Sequence, residues 1–179
     1  MNFPTTAQDI PGYDRDQVDA LLARIKTQYQ SPNRTLITSA MLAVVKFDLV
    51  PGGYQIPAVD DALARVADTF DEREIQARLA KEGRASLVGE LTAMLNIIRP
   101  VLEKKPAESF SNQRNGYSQK LVKALFKQIS VKRGEVSAPA TYKLRTMSLG
   151  RSGSGFDRSQ VDEFIGLLIG AIHRQRTLR

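Results

Sequence analysis

GYDRDQVDALLARI, residues 12–25, is followed by three ungapped variants of itself: GYQIPAVDDALARV at 53–66, GYSQKLVKALFKQI at 116–129 and GFDRSQVDEFIGLL at 155–168. Every copy has glycine first, an aromatic second, valine seventh, and apolar residues eleventh and fourteenth. A chain that repeats a pattern repeats a structural unit. In the first copy, Gly12 suits a turn with positive φ. Asp14 is placed as a helix N-cap. Gln17 lies three residues on, as in a capping box, and Tyr13 and Val18 have the spacing of a hydrophobic staple. Val18, Leu21, Leu22 and Ile25 then form one apolar stripe at helical intervals. The unit is a turn, a staple, a cap and an amphipathic helix.

The other copies repeat these parts. The fourth has Gly155, Phe156, Asp157 and Val161. The second has Gly53, Tyr54 and Val59, with Pro57 in the first turn, where a missing N–H costs little. The third has Gly116, Tyr117 and Val122, with Ser118 as a weaker cap. The aromatics are separated by 41, 63 and 39 residues. The near-equal outer steps predict two pairs of repeats around a central helical insert. The expected division is 1–69 for the first pair, 70–104 for a helical connector and 105–179 for the second pair. Within the insert, Asp71 is a candidate cap, Gly83 a divider and Pro100, near its end, a kink or boundary. Segments upstream of the second and fourth copies, VVKFDLV and KLRTMSL, alternate enough for short strands at 44–50 and 143–149. They equally suit helix ends and extended links. The expected fold class is mainly α.

The sequence GYDRDQVDALL resembles the DivIVA domain of bacterial cell-division and polar-growth scaffolds. ITSAMLAVVKFDLVPGGY fits the segment preceding that motif, in the placing of Ile37, Thr38, Leu42 and Phe47. The whole pattern is similar to the DivIVA-repeat proteins of actinobacteria, which string several such domains together. The resemblance implies a scaffold at division sites or poles. Its partners would be division or polarity proteins, and its place the cytoplasm or the inner membrane face. In the family's best-known members, an aromatic–arginine tip before the Gly-Tyr inserts into lipid. Here those positions hold Ile10 and Pro11, Pro51 and Gly52, Arg114 and Asn115, and Gly153 and Ser154. Only Ile10 offers an apolar tip. The family's module dimerises through a parallel coiled coil, but no sustained heptad run is present. Two tandem copies packing on each other would mimic that dimer within one chain.

Composition narrows the alternatives. At 179 residues, the chain is long enough for one domain or two small ones. With no cysteine, disulfides and thiolate metal sites are excluded. No signal peptide and no apolar run near 18 residues stand out on reading. The net charge of +7 is uneven, with 7 basic against 11 acidic residues in 1–75 and 19 against 8 in 76–179. Lys120, Lys123 and Lys127 fall on one side of the third copy's helix, followed by Lys132 and Arg133. Such a stripe suits an anionic membrane surface, nucleic acid phosphates or plain solvation. The acidic and basic halves also suit self-association. FIGLLIGAIHRQRTLR at 164–179 reads as a core helix or an interfacial anchor. Gly166 and Gly170 permit close helix approach.

No catalytic constellation is visible. His173 is the single histidine, and its place beside arginines near the C-terminus predicts exposure. With one histidine and no cysteine, the usual nucleophile–base pairs are missing. GRSGSG at 150–155 lacks a G-K-[ST] ending and reads as a flexible turn. Asp14, Asp19, Asp60 and Asp162 recur within the repeat, which suits capping. The reading is a non-enzymatic scaffold or adaptor with no catalytic, cofactor or metal residues. The alternative is a basic helical nucleic-acid-binding protein.

Overall fold

The computed structural model describes residues 3–30 and 37–179. Thr35 and Leu36, which begin the first upstream segment, lie outside the described residues. Those residues are mainly α, with eight helices and six short strands among them. The chain divides into two units, Met1–Asp71 and Glu72–Arg179.

The first unit holds β1 (Pro11–Tyr13), α1 (Arg15–Gln30), α2 (Ser39–Ala43), β2 (Leu49–Pro51) and most of α3 (Ile56–Glu82). β1 and β2 are antiparallel, with Pro11 opposite Pro51 and Tyr13 opposite Leu49. The Tyr13 and Tyr54 amides each donate to the other's carbonyl, at 2.9 and 2.8 Å. The stripe of α1 (Val18, Leu21, Ile25) packs with that of α3 (Val59, Leu63, Ala67, Phe70) and with Ile37 and Leu42. Tyr29 and Phe70 each lie eleven residues past their copy's valine, and their rings are 5.6 Å apart. The two helices therefore start together and run the same way. The buried Gln28 side chain holds both backbone groups of Ile37, accepting at 2.6 Å and donating at 2.7 Å. This satisfies polar groups that burial would otherwise penalise.

The second unit continues with α4 (Arg84–Glu103), α5 (Pro106–Ser109), β3 (Asn112–Tyr117), α6 (Gln119–Phe126), β4 (Ser130–Lys132), β5 (Glu135–Ser137), α7 (Thr141–Thr146), β6 (Arg151–Phe156) and α8 (Arg158–Thr177). β3 pairs with β6, with Asn112 opposite Phe156 and Gly116 opposite Ser152; Tyr117 also meets Phe156. Val122 and Leu125 of α6, Leu144 of α7, Leu95 and Ile98 of α4, and the apolar face of α8 from Val161 to Ile172 form the core. Phe110 joins it, with ring centroids 5.6, 5.9 and 5.9 Å from those of Phe126, Phe156 and Phe164.

Several sequence expectations need correction. Residues 143–149 are not a strand: α7 covers Thr141–Thr146, and the Met147 amide donates to the Lys143 carbonyl at 2.9 Å. Its single core residue, Leu144, fits a short helix as well as a strand. Of 44–50, only Leu49 and Val50 are strand. α2 precedes them, capped by Thr38, whose hydroxyl accepts from the Met41 amide at 3.2 Å. Asp71 starts no helix. It lies inside the 27-residue α3, because Ala67, Phe70 and Ile75 keep the buried stripe going past it. Gly83, at φ 84°, does separate α3 from α4. Pro100 sits inside α4, near its end at Glu103. The stretch 150–155 is not a loose turn but leads into β6. His173 is not exposed: its surface is 0% accessible, because α8 is packed on several sides. Its Nδ1 lies 3.3 Å from Glu72 Oε1. By length and composition α4 is apolar enough to cross a bilayer, a run the sequence expectation did not include. Leu95 and Ile98 place one of its faces in the second core.

Candidate interaction surfaces

The glycine–aromatic turns face one another in pairs. A Cβ on Gly12 would fall 2.7 Å from the Gly53 carbonyl carbon, and one on Gly53 would fall 2.6 Å from that of Gly12. Gly116 and Gly155 are opposed in the same way, each against the other's carbonyl group. None of the four has a positive φ. Close backbone approach, rather than turn conformation, is what requires glycine here. All four are buried, as are Tyr54 and Phe156. These turns are contacts within the units, not projecting tips.

The aromatic of one copy reaches the aspartate that follows the valine of its paired copy. The Tyr54 hydroxyl donates to Asp19 Oδ2 at 3.2 Å. Tyr13 and Asp60 lie near enough for each to shift the other's proton affinity. The Tyr117 hydroxyl donates to Asp162 Oδ1 at 2.9 Å. Asp19, Asp60 and Asp162 are therefore not caps. The fourth pairing is missing on both sides at once: Phe156 has no hydroxyl, and the matching position in the third copy is Lys123. Burial first, then the aspartate, pushes the phenols of Tyr54 and Tyr117 above the ordinary 10.0. Tyr13 is raised by burial and Asp60. Burial also raises Asp60, against Tyr13, which pulls it down.

Asp14 and Asp157 cap as expected, accepting from the Gln17 and Gln160 amides at 2.9 Å each. The glutamines do not close a capping box. Gln17 instead accepts from the Asp48 amide at 2.9 Å, and Gln160 from the Ser111 amide at 2.8 Å. Each holds the segment before the paired copy's turn against its own helix. Ser118 makes no side-chain cap bond. Val18, Val59, Val122 and Val161 are all fully buried.

Lys120 and Lys123 are exposed on α6, with Lys127 at its C-cap, opposite the buried Val122 and Leu125. Lys132 and Arg133 lie apart from them, on the β4–β5 hairpin, with Arg133 at φ 52° in the turn. None of these five cations forms an ion pair among the described residues. The C-terminal arginines do: Arg174 with Glu90 at 2.7 Å, Arg176 with Glu72 at 3.1 Å and Arg179 with Glu135 at 3.3 Å. The hydrogen bond from Arg174 holds Glu90 below the usual carboxylate range. On α8, Gly170 sits against Met94 of α4, while Gly166 is open. Ile10 is 52% exposed beside β1.

The first unit also carries a feature the sequence reading missed, a groove of about 580 Å³ between α1 and α3. Leu22, Tyr29, Ala62 and Val66 line it. Comparison with family models, curated proteins and solved structures returns no match for this chain.

Proposed function

We propose that the chain is a non-enzymatic scaffold or adaptor of the DivIVA type, built from two pairs of turn-plus-helix repeats around a helical insert. It works in cell division or polar growth, in the cytoplasm or on the inner membrane face, by binding a membrane surface or a partner protein. One observation carries this reading: in both units the repeated residues are engaged with each other. The glycines meet glycines, the tyrosines meet aspartates, and the valines fill the cores. What remains for outside contacts is an exposed lysine face on α6 and an apolar groove between α1 and α3. Neither is a constellation of reacting groups. The lysine face also favours a second reading, a nucleic-acid-binding protein, because phosphate contacts need only accessible cations.

Co-sedimentation with anionic and neutral vesicles, with duplex DNA as competitor, tests both readings. The scaffold reading expects binding to anionic vesicles that DNA does not relieve and that Lys120→Glu with Lys123→Glu abolishes. Binding to DNA alone would replace it with the second reading. No binding to vesicles, DNA or immobilised division proteins would sink both.

A further inference from the structure

The groove of the first unit has a counterpart in the second unit, where a helix covers it. Leu22 occupies the eleventh position of its copy, as Phe126 does, and Ala62 the tenth, as Phe164 does. In the second unit, Phe126 and Phe164 stack at 5.2 Å. α4 packs along α8, the helix that carries Phe164. Its Met94 meets Gly170 and its Glu90 pairs with Arg174, both on α8. Its other end, at Arg99 and Leu102, shares a depression with Ile129 and Val131, just past α6. Leu91, Leu95, Ile98 and Leu102 present the apolar stripe that joins this core. In the first unit, the matching surface is Leu22, Tyr29, Ala62 and Val66, open as a groove.

We infer that this groove receives an amphipathic helix from a partner protein, docked on the first unit as α4 docks within the second. The inference rests on the adaptor reading and specifies its partner. The occupant carries apolar residues at three- and four-residue spacing, the spacing that suits a helix laid in a groove. It also carries an acidic residue beside that stripe, as Glu90 stands beside the stripe of α4. Lys26 and Arg65 both line the groove, and Lys26 forms no ion pair among the described residues. Asp19, the one acid lining it, already accepts from Tyr54.

The probe is a synthetic peptide of residues 84–103, titrated into the isotopically labelled full chain while backbone amide shifts are followed. Leu22, Tyr29, Ala62 and Val66 shift together and saturate. Ala62→Phe, which places the fourth copy's residue in the groove, weakens the peptide by about tenfold or more, and Lys26→Glu by about threefold. If Ala62→Phe disturbs the fold, the Lys26→Glu comparison carries the test alone. Absence of peptide binding overturns the inference. So do shifts confined to residues around Met94 and Phe164. The same shifts on concentrating the chain without peptide would assign the groove to a second copy instead. Vesicle sedimentation of the Ala62→Phe chain separates the two readings. If vesicle binding persists and the wild-type chain ignores the peptide, the groove assignment falls and the scaffold stands.

Discussion

Phe156 and Lys123 are the two residues at which the paired contacts break their own rule. Three tyrosines meet three aspartates across a pair; the fourth aromatic lacks a hydroxyl, and the position due to receive it lacks a carboxylate. A hydrogen bond to a carboxylate contributes about 1 kcal/mol when partly exposed. Tyr117→Phe is expected to cost about that much in denaturant unfolding. Phe156→Tyr and Lys123→Asp are each expected to be neutral or unfavourable alone, and together to recover a coupling of about 0.5–1 kcal/mol in a double-mutant cycle. A zero coupling would show that the fourth position does not share the geometry of the other three. The same hydroxyls give the chain an alkaline limit. A phenol held above its unfolded value of 10.0 keeps its proton longer in the folded state. Its stabilisation is complete below pH 10 and is lost as pH rises through the higher folded value. Unfolding free energy measured from pH 9 to 11 should therefore fall, and fall less in Tyr117→Phe. Part of this was legible in the sequence. The caps at Asp14 and Asp157 follow from local spacing, because a cap bonds its own helix. The tyrosine–aspartate contacts cross between copies, and nothing local marks them. The joint departure at Phe156 and Lys123 was the available signal.

Among the elements, the segment before each turn differs most between reading and structure. Residues 143–149 carry two core side chains, Leu144 and Leu149, and a spacing of five fits neither a period of two nor one of 3.6. The continuity of α3 past Asp71 was hidden for a different reason: aspartate favours a cap, and the buried stripe of Ala67, Phe70 and Ile75 overrides that local preference. The long amphipathic helices α1 and α8 and the Gly83 break were legible, since stripe and breaker are strong local signals. Phe110 was not, because its role depends on three rings from distant elements. It joins α5 to Phe126, Phe156 and Phe164. Phe110→Ala is expected to cost about 3–4 kcal/mol, from lost burial and the cavity left behind. That is a large part of the ordinary stability of a domain. Thermal or denaturant unfolding followed by near-ultraviolet dichroism would read it. A cost below about 1 kcal/mol would mean that the cluster collapses into the space.

At the scale of the whole molecule, the two units differ in charge as well as in covering. Met1–Asp71 has 6 basic and 9 acidic residues, and Glu72–Arg179 has 20 and 10. Any attraction to anionic surfaces thus belongs to the second unit, and a groove for a helix to the first. The facing glycines have a further consequence. In each unit the two halves of the contact belong to one continuous chain, so their encounter does not depend on how many molecules are present. The melting midpoint is expected to stay constant over a hundredfold dilution, within about 1 °C. A midpoint that falls on dilution would show that the halves come from different molecules. Joined halves are also released from being identical. A symmetric pair of separate chains must place the same residue on both sides of its axis, so an improvement on one side is imposed on the other. Here one side has Tyr117 with Asp162, while the matching positions for the other are Phe156 and Lys123. Within a single strand, each side of the contact is free to take up its own task.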